Sequence, residues 1–371
     1  MIGFLTALVA FALVVGPLIF LHELGHYSAG RLFGVKAEEF SIGFGRELFG
    51  FFDRRGTRWK VAALPLGGYV RFAGDLDASS RTDPEWQALP EAERNVTFPA
   101  KPLWQRAIII AAGPVTNLLI AFIILAGFAM AYGKPDMSAR IGHVEPGSPA
   151  ASAGLVADDR ILSIDGRPMA DFGAVFDYVR AHPGATVTIH VDHAGSKVDH
   201  SATLTTIKVQ VEAGKAISLG QLGIRPGTIR VGPVEAVALS VTGIGQIMGS
   251  MGDLLGQILI GHRSIHELGG PLRIAQVSGQ QLEAGPASLI GLIALVSINL
   301  GFINLLPVPM LDGGHLFFYA IEAVRRRPVS PVVQEWAFRG GLAAVLALML
   351  VVTINDLGAL GLWKSLTGLS G

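Results

Sequence analysis

Residues 1–26 read MIGFLTALVAFALVVGPLIFLHELGH, an apolar run followed by two histidines and a glutamate. The apolar part is long enough to cross a bilayer, which requires about 20 residues. It has no basic region in front of it and no small-residue cleavage site before His22, so it predicts a retained membrane helix rather than a signal peptide. The stretch therefore predicts a membrane protein that carries ionisable side chains at the end of its first helix.

The composition of the 371-residue chain agrees with this interpretation, with 50% hydrophobic and 16% charged residues and a mean hydropathy of +0.49. Charged residues make up about a quarter of an ordinary soluble domain. The 29 basic residues balance 29 acidic ones, so the chain lacks the basic surface that nucleic-acid binding requires. The chain contains no cysteine, so any metal must be held by His, Asp or Glu.

Four apolar stretches predict about four transmembrane helices, at roughly residues 2–33, 103–132, 288–309 and 341–363. Lys and Arg collect between the first two and between the last two, so the positive-inside rule places both of these segments in the cytoplasm. The long segment between the second and third stretches would then lie outside. Within it, residues 139–209 show β-branched runs, Gly/Pro turns and a helical pattern at 171–181, which predict one compact α+β domain.

Residues 233–261 form a fifth apolar stretch that is rich in glycine. It is either a weak transmembrane helix or a helix that lies at the membrane interface. A fifth crossing would separate Asp312 from His22 and His26, so we expect the interfacial position.

The sequence His22-Glu23-Leu24-Gly25-His26 is an HExxH motif. Two histidines four residues apart share one face of a helix and can hold zinc, while the glutamate can take a proton from water. The alternative is a polar helix end that reaches towards the interface. A catalytic zinc has three protein ligands, and Asp312 follows the third apolar stretch on the same side of the membrane as His26. His315 is an alternative ligand or a helix-capping residue.

The third apolar stretch contains further polar and helix-breaking residues. Pro307 and Pro309 interrupt the helix just before Asp312. Asn299 and Asn304 could hydrogen-bond across helices, or they could hold the backbone of a substrate.

Four motifs in this order resemble those of the site-2 protease family, and most closely its bacterial members that regulate sigma-E. They are HELGH at 22–26, GGYV at 67–70, GPVTN at 113–117 and LDG at 311–313. The resemblance covers nearly the whole chain, including SIGFG at 41–45. It implies an intramembrane zinc (Zn2+) metalloprotease of the bacterial inner membrane. Such a protease cuts single-pass membrane proteins, typically an anti-sigma factor that an upstream site-1 type protease has already trimmed.

The resemblance also implies roles for individual residues. His22, His26 and Asp312 would bind zinc, Glu23 would act as general base and acid, and Asn304 would contact the substrate backbone. The segment with Gly67, Gly68 and Tyr69 resembles the membrane-associated β-loop of the family, where an edge strand at about 57–72 could pair with an unwound substrate. An ordinary turn is the alternative for the two glycines.

The outer domain resembles a PDZ domain through GSPAASAGL at 147–155 and DRILSIDG at 159–166, with Asp158 where the pattern usually has glycine. PDZ domains bind extended peptides by strand addition. The best-known relative carries two such domains, whereas this chain has room for one. The segment 233–261 resembles the helix that follows the PDZ domains in the family.

The predicted fold is a polytopic α-helical membrane protein with an inserted α+β PDZ domain and a cytosolic membrane-associated β-loop. Its predicted segments are a first transmembrane helix with HExxH (1–33), a cytosolic segment (34–102), a second transmembrane helix (103–133), a periplasmic PDZ domain (135–225), an interfacial helix and linker (226–287), a third transmembrane helix with the third zinc ligand (288–312), a cytosolic loop (313–340) and a fourth transmembrane helix with the C-terminus (341–371). The active site would lie near the cytoplasmic side.

Two functions of other classes remain as alternatives. A non-catalytic scaffold that captures peptides through the PDZ domain would bind no zinc. A small-solute transporter usually shows repeated halves, and the sequence shows no internal repeat.

Overall fold

The fold is given by a computed structural model that describes residues 3–75, 86, 88–212, 215–264 and 269–359. The chain divides into two compact units, one formed by residues 1–125 and 240–371 and the other by residues 126–239. The last part of the predicted segment 341–371, from residue 360 onward, lies outside the described residues.

The described residues form ten helices and twelve strands. The helices are α1 (Phe4–Leu32), α2 (Glu91–Arg94), α3 (Leu103–Tyr132), α4 (Pro149–Ser152), α5 (Phe172–Ala181), α6 (Pro233–Leu259), α7 (Pro271–Ala284), α8 (Pro286–Leu305), α9 (Asp312–Arg325) and α10 (Pro331–Ala359). The strands are β1 (Ala37–Phe52), β2 (Arg58–Phe72), β3 (Lys134–Pro135), β4 (Ile141–Val144), β5 (Arg160–Ile164), β6 (Arg167–Pro168), β7 (Thr186–His193), β8 (Ser196–Thr203), β9 (Thr205–Glu212), β10 (Lys215–Gln221), β11 (Ile224–Pro226) and β12 (Thr228–Ile229).

Among the described residues, five helices are long and apolar enough to cross a membrane: α1, α3, α6, α8 and α10. Four of them, α1, α3, α8 and α10, overlap the predicted transmembrane stretches, although α8 ends at Leu305, before the predicted end at 309. The fifth, α6, has a mean hydropathy of 1.2 in its most apolar window, against 2.0 to 2.5 in the others. This set of helices fits a membrane protein, and the interfacial position of α6 stays a prediction.

Two segments contain more helix than the sequence predicted. Most of 313–340, predicted as a cytosolic loop, is helical, because α9 extends to Arg325 and α10 already begins at Pro331. Proline suits the first turn of a helix, where its missing N–H has no partner in any case. The basic residues and Pro328 therefore mark only a short connection. The predicted linker after α6 contains α7.

The strands β1 and β2 are both bent, so the hairpin forms four segments that lie side by side. Residues 37–42 pair with 68–72 on one side and with 58–61 on the other, and 58–62 pair in turn with 47–52. The predicted edge strand at 57–72 is therefore an edge only at 68–72, because its first part has partners on both sides. Gly43 (φ 88°) and Gly67 (φ 140°) allow the bends, since L side chains are strained at these angles.

The hairpin packs against α1 and α3 through a buried cluster. Its buried members are Tyr27, Val35, Ala37, Phe40, Val70, Phe72, Phe98, Ile109 and Ile110. Phe40 stacks on Trp59 with ring centroids 4.2 Å apart. Gly30 of α1 gives room to the ring of Phe72, which a Cβ at this position would overlap. This packing fixes the edge segment 68–72 beside the helix that carries the HExxH motif.

The unit of residues 126–239 is a small α+β fold. Its largest sheet has four antiparallel strands in the order β6-β5-β7-β8. The helix α5 lies where it was predicted and is capped by the residue before it, Asp171, whose side chain accepts the backbone N–H of Ala174 at 2.8 Å. Asp158 has φ 72°, an angle that a glycine adopts without strain. Asp tolerates the left-handed region better than most residues.

Candidate metal centre and active site

Two histidines of α1 and one aspartate of α9 meet inside the larger unit. The Nε2 atoms of His22 and His26 lie 3.2 Å apart. The carboxylate of Asp312 lies 3.2 Å from Nε2 of His22 and 3.5 Å from Nε2 of His26. Both histidines are more than nine-tenths buried. Among the described residues, these three side chains are the one group of three or more whose His and carboxylate atoms could hold a metal ion together.

The distances within this group fit a zinc ion. Zinc bonds to His nitrogen and carboxylate oxygen at about 2.0–2.1 Å in a tetrahedron, so neighbouring ligand atoms lie about 3.3–3.4 Å apart. The two Nε2 atoms lie 3.2 Å apart, Nε2 of His22 lies 3.2 Å from one carboxylate oxygen of Asp312, and Nε2 of His26 lies 3.5 Å from the other, so all three separations are close to this value. Two neutral imidazoles and one carboxylate leave a fourth position for water or substrate, which is the arrangement of catalytic rather than structural zinc sites.

Helix α3 contacts both histidine rings at Nδ1, the ring nitrogen that faces away from the metal position. The Nδ1 atom of His26 lies 2.9 Å from the backbone oxygen of Ile109. The Nδ1 atom of His22 lies 3.2 Å from the side-chain amide of Asn117, which is completely buried. Such contacts set the orientation of metal-binding histidines and decide which ring nitrogen is free to coordinate.

Glycines let α1 and α3 approach closely enough for these contacts. A Cβ at Gly25 would lie 2.5 Å from the backbone oxygen of Ala112 and 2.5 Å from the hydroxyl of Thr116. A Cβ at Gly113 would overlap the Nε2 atom of His26 and lie 2.8 Å from that of His22. Small residues at such crossings are typical of helices that pack in membranes. Gly113 in particular leaves the space that the two imidazoles occupy.

The connection between α8 and α9 places Asp312 against the histidines. Helix α8 ends at Leu305, and the residues up to Leu311 form a compact loop with Pro307, Pro309 and Met310. Met310 has φ 86°, an uncommon angle for a residue with a side chain. A Cβ at Gly314 would lie 2.8 Å from the Cα of Pro309, so the first turn of α9 packs directly on this loop.

The three metal-binding candidates and Glu23 line a cavity of about 570 Å³ in this unit. The structure brings most of the predicted site residues to this cavity: Asn304, Gly67, Gly68, Tyr69 and His315 also line it. Asn299 does not line it, because it lies five residues before Asn304 and therefore about 140° away around α8. His315 lies outside the metal-binding group, and its ring centroid is 4.9 Å from that of Phe338.

The edge segment 68–72 of the hairpin borders the cavity directly beside Glu23. A Cβ at Gly68 would lie 2.8 Å from Cγ of Glu23 and 2.8 Å from the backbone oxygen of Ser41. Only a glycine lets the strand pass so close to the glutamate. The backbone of this edge segment therefore passes directly beside the HExxH motif.

One carboxylate ties the edge segment to the rest of the hairpin. Glu39 accepts hydrogen bonds from Lys60 (2.8 Å), Tyr69 (2.9 Å) and Arg71 (3.1 Å). Its partial burial opposes ionisation, but the hydrogen bonds from Lys60 and Tyr69 and the charge of Arg71 outweigh it and hold the pKa of Glu39 below its ordinary value. Glu39 is therefore ionised at neutral pH and fixes the position of Tyr69.

Sequence reasoning missed two parts of this site. Asn117 was noted only as part of a motif, although a fully buried asparagine in an apolar helix is itself a signal of function. The backbone oxygen of Ile109 carries no sequence signal, because any residue supplies it.

Comparison with known proteins identifies the chain. The sequence pattern of peptidase family M50 matches residues 10–348. A protein of Agrobacterium fabrum whose name designates it a zinc metalloprotease is 41% identical over 367 residues, covering 96% of this chain and 97% of its own. Metalloprotease MmpA of Caulobacter vibrioides is 37% identical over 396 residues and 100% of both chains.

Among solved structures, the PDZ domain of an SdrC-like protein from Listeria monocytogenes is 27% identical, with a TM-score of 0.20. The match covers 24% of this chain and 84% of the Listeria chain.

These matches confirm the family that the four motifs predicted, and they confirm zinc as the cofactor of its members. Because the family pattern and the relatives cover nearly the whole length, the chain belongs to peptidase family M50, the site-2 proteases, and is a zinc metalloprotease.

Proposed function

We propose that the protein is an intramembrane endopeptidase that cleaves the transmembrane segments of single-pass membrane proteins. The observation that carries this proposal is the position of the His22, His26 and Asp312 group. It lies with Glu23 on the wall of a cavity between apolar helices. Ionisable residues within such helices are costly and are usually retained for function.

In this proposal His22, His26 and Asp312 hold the zinc ion. When bound, zinc supplies a Lewis acid for the scissile carbonyl and for the attacking water. Glu23 takes a proton from that water as it attacks and later delivers a proton to the leaving amine. Glu23 is a buried residue on the cavity wall, with 7% of its surface exposed.

The edge segment 68–72 presents the substrate. A transmembrane helix shields its peptide bonds because each one is already hydrogen-bonded within the helix, so the substrate must unwind before it is cut. An unwound segment could add to the free edge of the hairpin by strand pairing, beside Glu23. Asn304, on the cavity wall, hydrogen-bonds the substrate backbone from the side away from the hairpin edge in this proposal.

We further propose that residues 135–225 form a PDZ domain in the periplasm and that the metal centre lies near the cytoplasmic side of the bacterial inner membrane. The small unit contains a groove of about 400 Å³ between α5 and β10, with Val175, Val179, Leu219 and Ile224 among its lining residues. An extended peptide could bind there by strand addition. The natural substrate would be an anti-sigma factor first trimmed by a site-1 type protease.

The test uses an epitope-tagged single-pass protein, either intact or trimmed to a short outer stub, in membranes that contain the full chain. We expect the wild type to cut the trimmed form and Glu23→Gln to leave it intact. Glu283→Gln, a change at an exposed glutamate of α7, serves as the matched control and should cut normally. Equal cleavage by Glu23→Gln and wild type would overturn the proposal. The proposal is also overturned if neither the wild type nor Glu23→Gln cuts any of several substrates and the protein binds no zinc. That result would favour the non-catalytic PDZ scaffold.

A further inference from the structure

Asn117 is a buried polar residue whose role the mechanism above does not use. It lies in α3 with no exposed surface, and its side-chain amide is 3.2 Å from Nδ1 of His22. Its side-chain oxygen has no hydrogen-bond partner among the described residues. A buried asparagine with an unpaired carbonyl group calls for an explanation, since such groups are nearly always hydrogen-bonded.

The protonation of the His22 ring explains why an asparagine with a free carbonyl group lies here. A neutral imidazole carries one proton, so a ring that coordinates metal through Nε2 must carry its proton on Nδ1. That Nδ1–H group is a donor and needs an acceptor. His26 meets this requirement through the backbone oxygen of Ile109, at 2.9 Å. The corresponding position behind His22 is filled by the side chain of Asn117.

Only one orientation of the Asn117 amide suits a coordinating His22. With its nitrogen towards the ring, the amide donates to Nδ1 and forces the ring proton onto Nε2, which blocks coordination. A half-turn of the amide exchanges its oxygen and nitrogen, which have nearly the same shape. The oxygen, which otherwise lacks a partner, then accepts the Nδ1–H hydrogen bond.

We propose that Asn117 is the positioning residue of His22, with its side-chain oxygen accepting the Nδ1 hydrogen and so leaving Nε2 free to bind zinc. This inference rests on the zinc site of the proposed function. Asn117 touches neither the metal nor the substrate in this role and acts only through His22.

A contact with α8 fixes the backbone of Asn117 beside His22. The hydroxyl of Ser297 in α8 donates to the backbone oxygen of Asn117 at 2.7 Å. Asn117 of α3 therefore contacts α1 through its side chain and α8 through its backbone. The Ser297 contact does not involve the amide, which allows the two contacts to be separated by mutation.

The test measures zinc binding by the full chain in detergent, without any substrate. Zinc affinity is obtained by competition with a fluorescent chelator, and the geometry of the site from the visible absorption of the cobalt-loaded protein. Asn117→Leu keeps the size of the side chain but removes the acceptor. Asn117→Asp keeps an acceptor and no longer offers a donor. Ser297→Ala is the matched control, because it leaves the amide in place.

We expect Asn117→Leu to lower zinc affinity roughly 10- to 100-fold and to change the cobalt spectrum, as loss of such a supporting hydrogen bond does in other metal sites. Asn117→Asp should bind zinc at least as tightly as the wild type, and Ser297→Ala should match it. In a His22→Ala background, Asn117→Leu should cause no further loss.

Wild-type affinity and spectrum in Asn117→Leu would overturn the inference. An equal loss in Asn117→Asp would also overturn it, and this arm remains decisive if the leucine variant does not fold. Because no substrate is present, the outcome is independent of proteolysis. If zinc binding by the wild-type protein depends on Asn117 as expected but the protein cuts no membrane protein, the proposed function is contradicted and this inference stands.

Discussion

The carboxylate of Asp312 lies 3.2 Å from Nε2 of His22, although one residue belongs to α9 and the other to α1. The contact depends on α8, which brings the chain to the α1 helix, and on the tight loop that follows it. Two imidazoles alone would bind zinc weakly, so the metal centre is complete only when the start of α9 is in place.

Asp312→Asn should abolish stable zinc binding and reduce proteolysis to background. The amide keeps the size of the side chain but loses the negative charge that a third ligand supplies. Metal analysis of the purified protein after gel filtration measures the effect. Asp253→Asn, at an exposed aspartate of α6, should keep its zinc. A full zinc content in Asp312→Asn would show that another residue completes the site.

Gly113→Ala should lose zinc binding although alanine favours helices by about 1 kcal/mol over glycine. The added Cβ would overlap Nε2 of His26 and press on that of His22. Gly127→Ala is the matched control in the same helix, since nothing lies within 4 Å of its Cβ. We expect the control to bind zinc normally and to be slightly more resistant to heat. Normal zinc binding by Gly113→Ala would contradict the close packing of α1 and α3.

The sequence predicted the first part of this site well because its information is local. His22 and His26 lie one helical turn apart, so their spacing alone places them on one face. The contact between α3 and α1 is different, because it depends on which turn of one helix meets which turn of the other. No periodicity in either helix specifies that register, so the role of Asn117 could not be derived from the sequence.

The pairing of strands in the hairpin could not be derived from the sequence either. Glycines such as Gly43 and Gly67 indicate in the sequence where the chain can bend, and both have positive φ angles in the structure. The pairing of 37–42 with partners on both sides depends on how the bent strands fold over each other. The sequence therefore allowed a strand to be expected at about 57–72 but did not indicate which part of it is the edge.

Glu39→Gln should loosen the edge segment 68–72. The substitution removes the charge that Lys60 and Arg71 contact, so amide hydrogen exchange in 58–72 should become faster at neutral pH. Glu38→Gln is the control, since within the part of the chain that the structure describes Glu38 forms one longer ion pair, at 3.4 Å to Arg71. Unchanged exchange in Glu39→Gln would show that packing alone holds the edge.

The same carboxylate gives the hairpin a defined dependence on pH. Its pKa in the folded protein is lower than in the unfolded chain, so its contribution to stability is complete above the unfolded pKa. It is lost as the pH falls through the folded value. The stability difference between wild type and Glu39→Gln should therefore be constant near neutral pH and shrink in acid. A difference that grows in acid would contradict the ion pair.

Removal of the small unit should increase cleavage of untrimmed substrates if that unit restricts access. Strands β3 and β12 pair with each other, with Pro135 opposite Thr228, so residues 136–227 can be replaced by a short turn. Cleavage of intact and trimmed substrates is then compared in membranes. We expect the deletion to raise cleavage of the intact form, with zinc content unchanged. An unchanged preference for the trimmed form would exclude this gating role.

The most direct test of the account is the position of the cut made by the purified protein in lipid vesicles. A tagged single-pass substrate is incubated with wild type, Glu23→Gln or the control Glu283→Gln, and the new termini are found by mass spectrometry. We predict termini inside the apolar segment of the substrate for wild type and control only. A chelator should abolish them and added zinc restore them. Termini confined to the polar flanks, or the same termini with Glu23→Gln, would contradict intramembrane cleavage by this site.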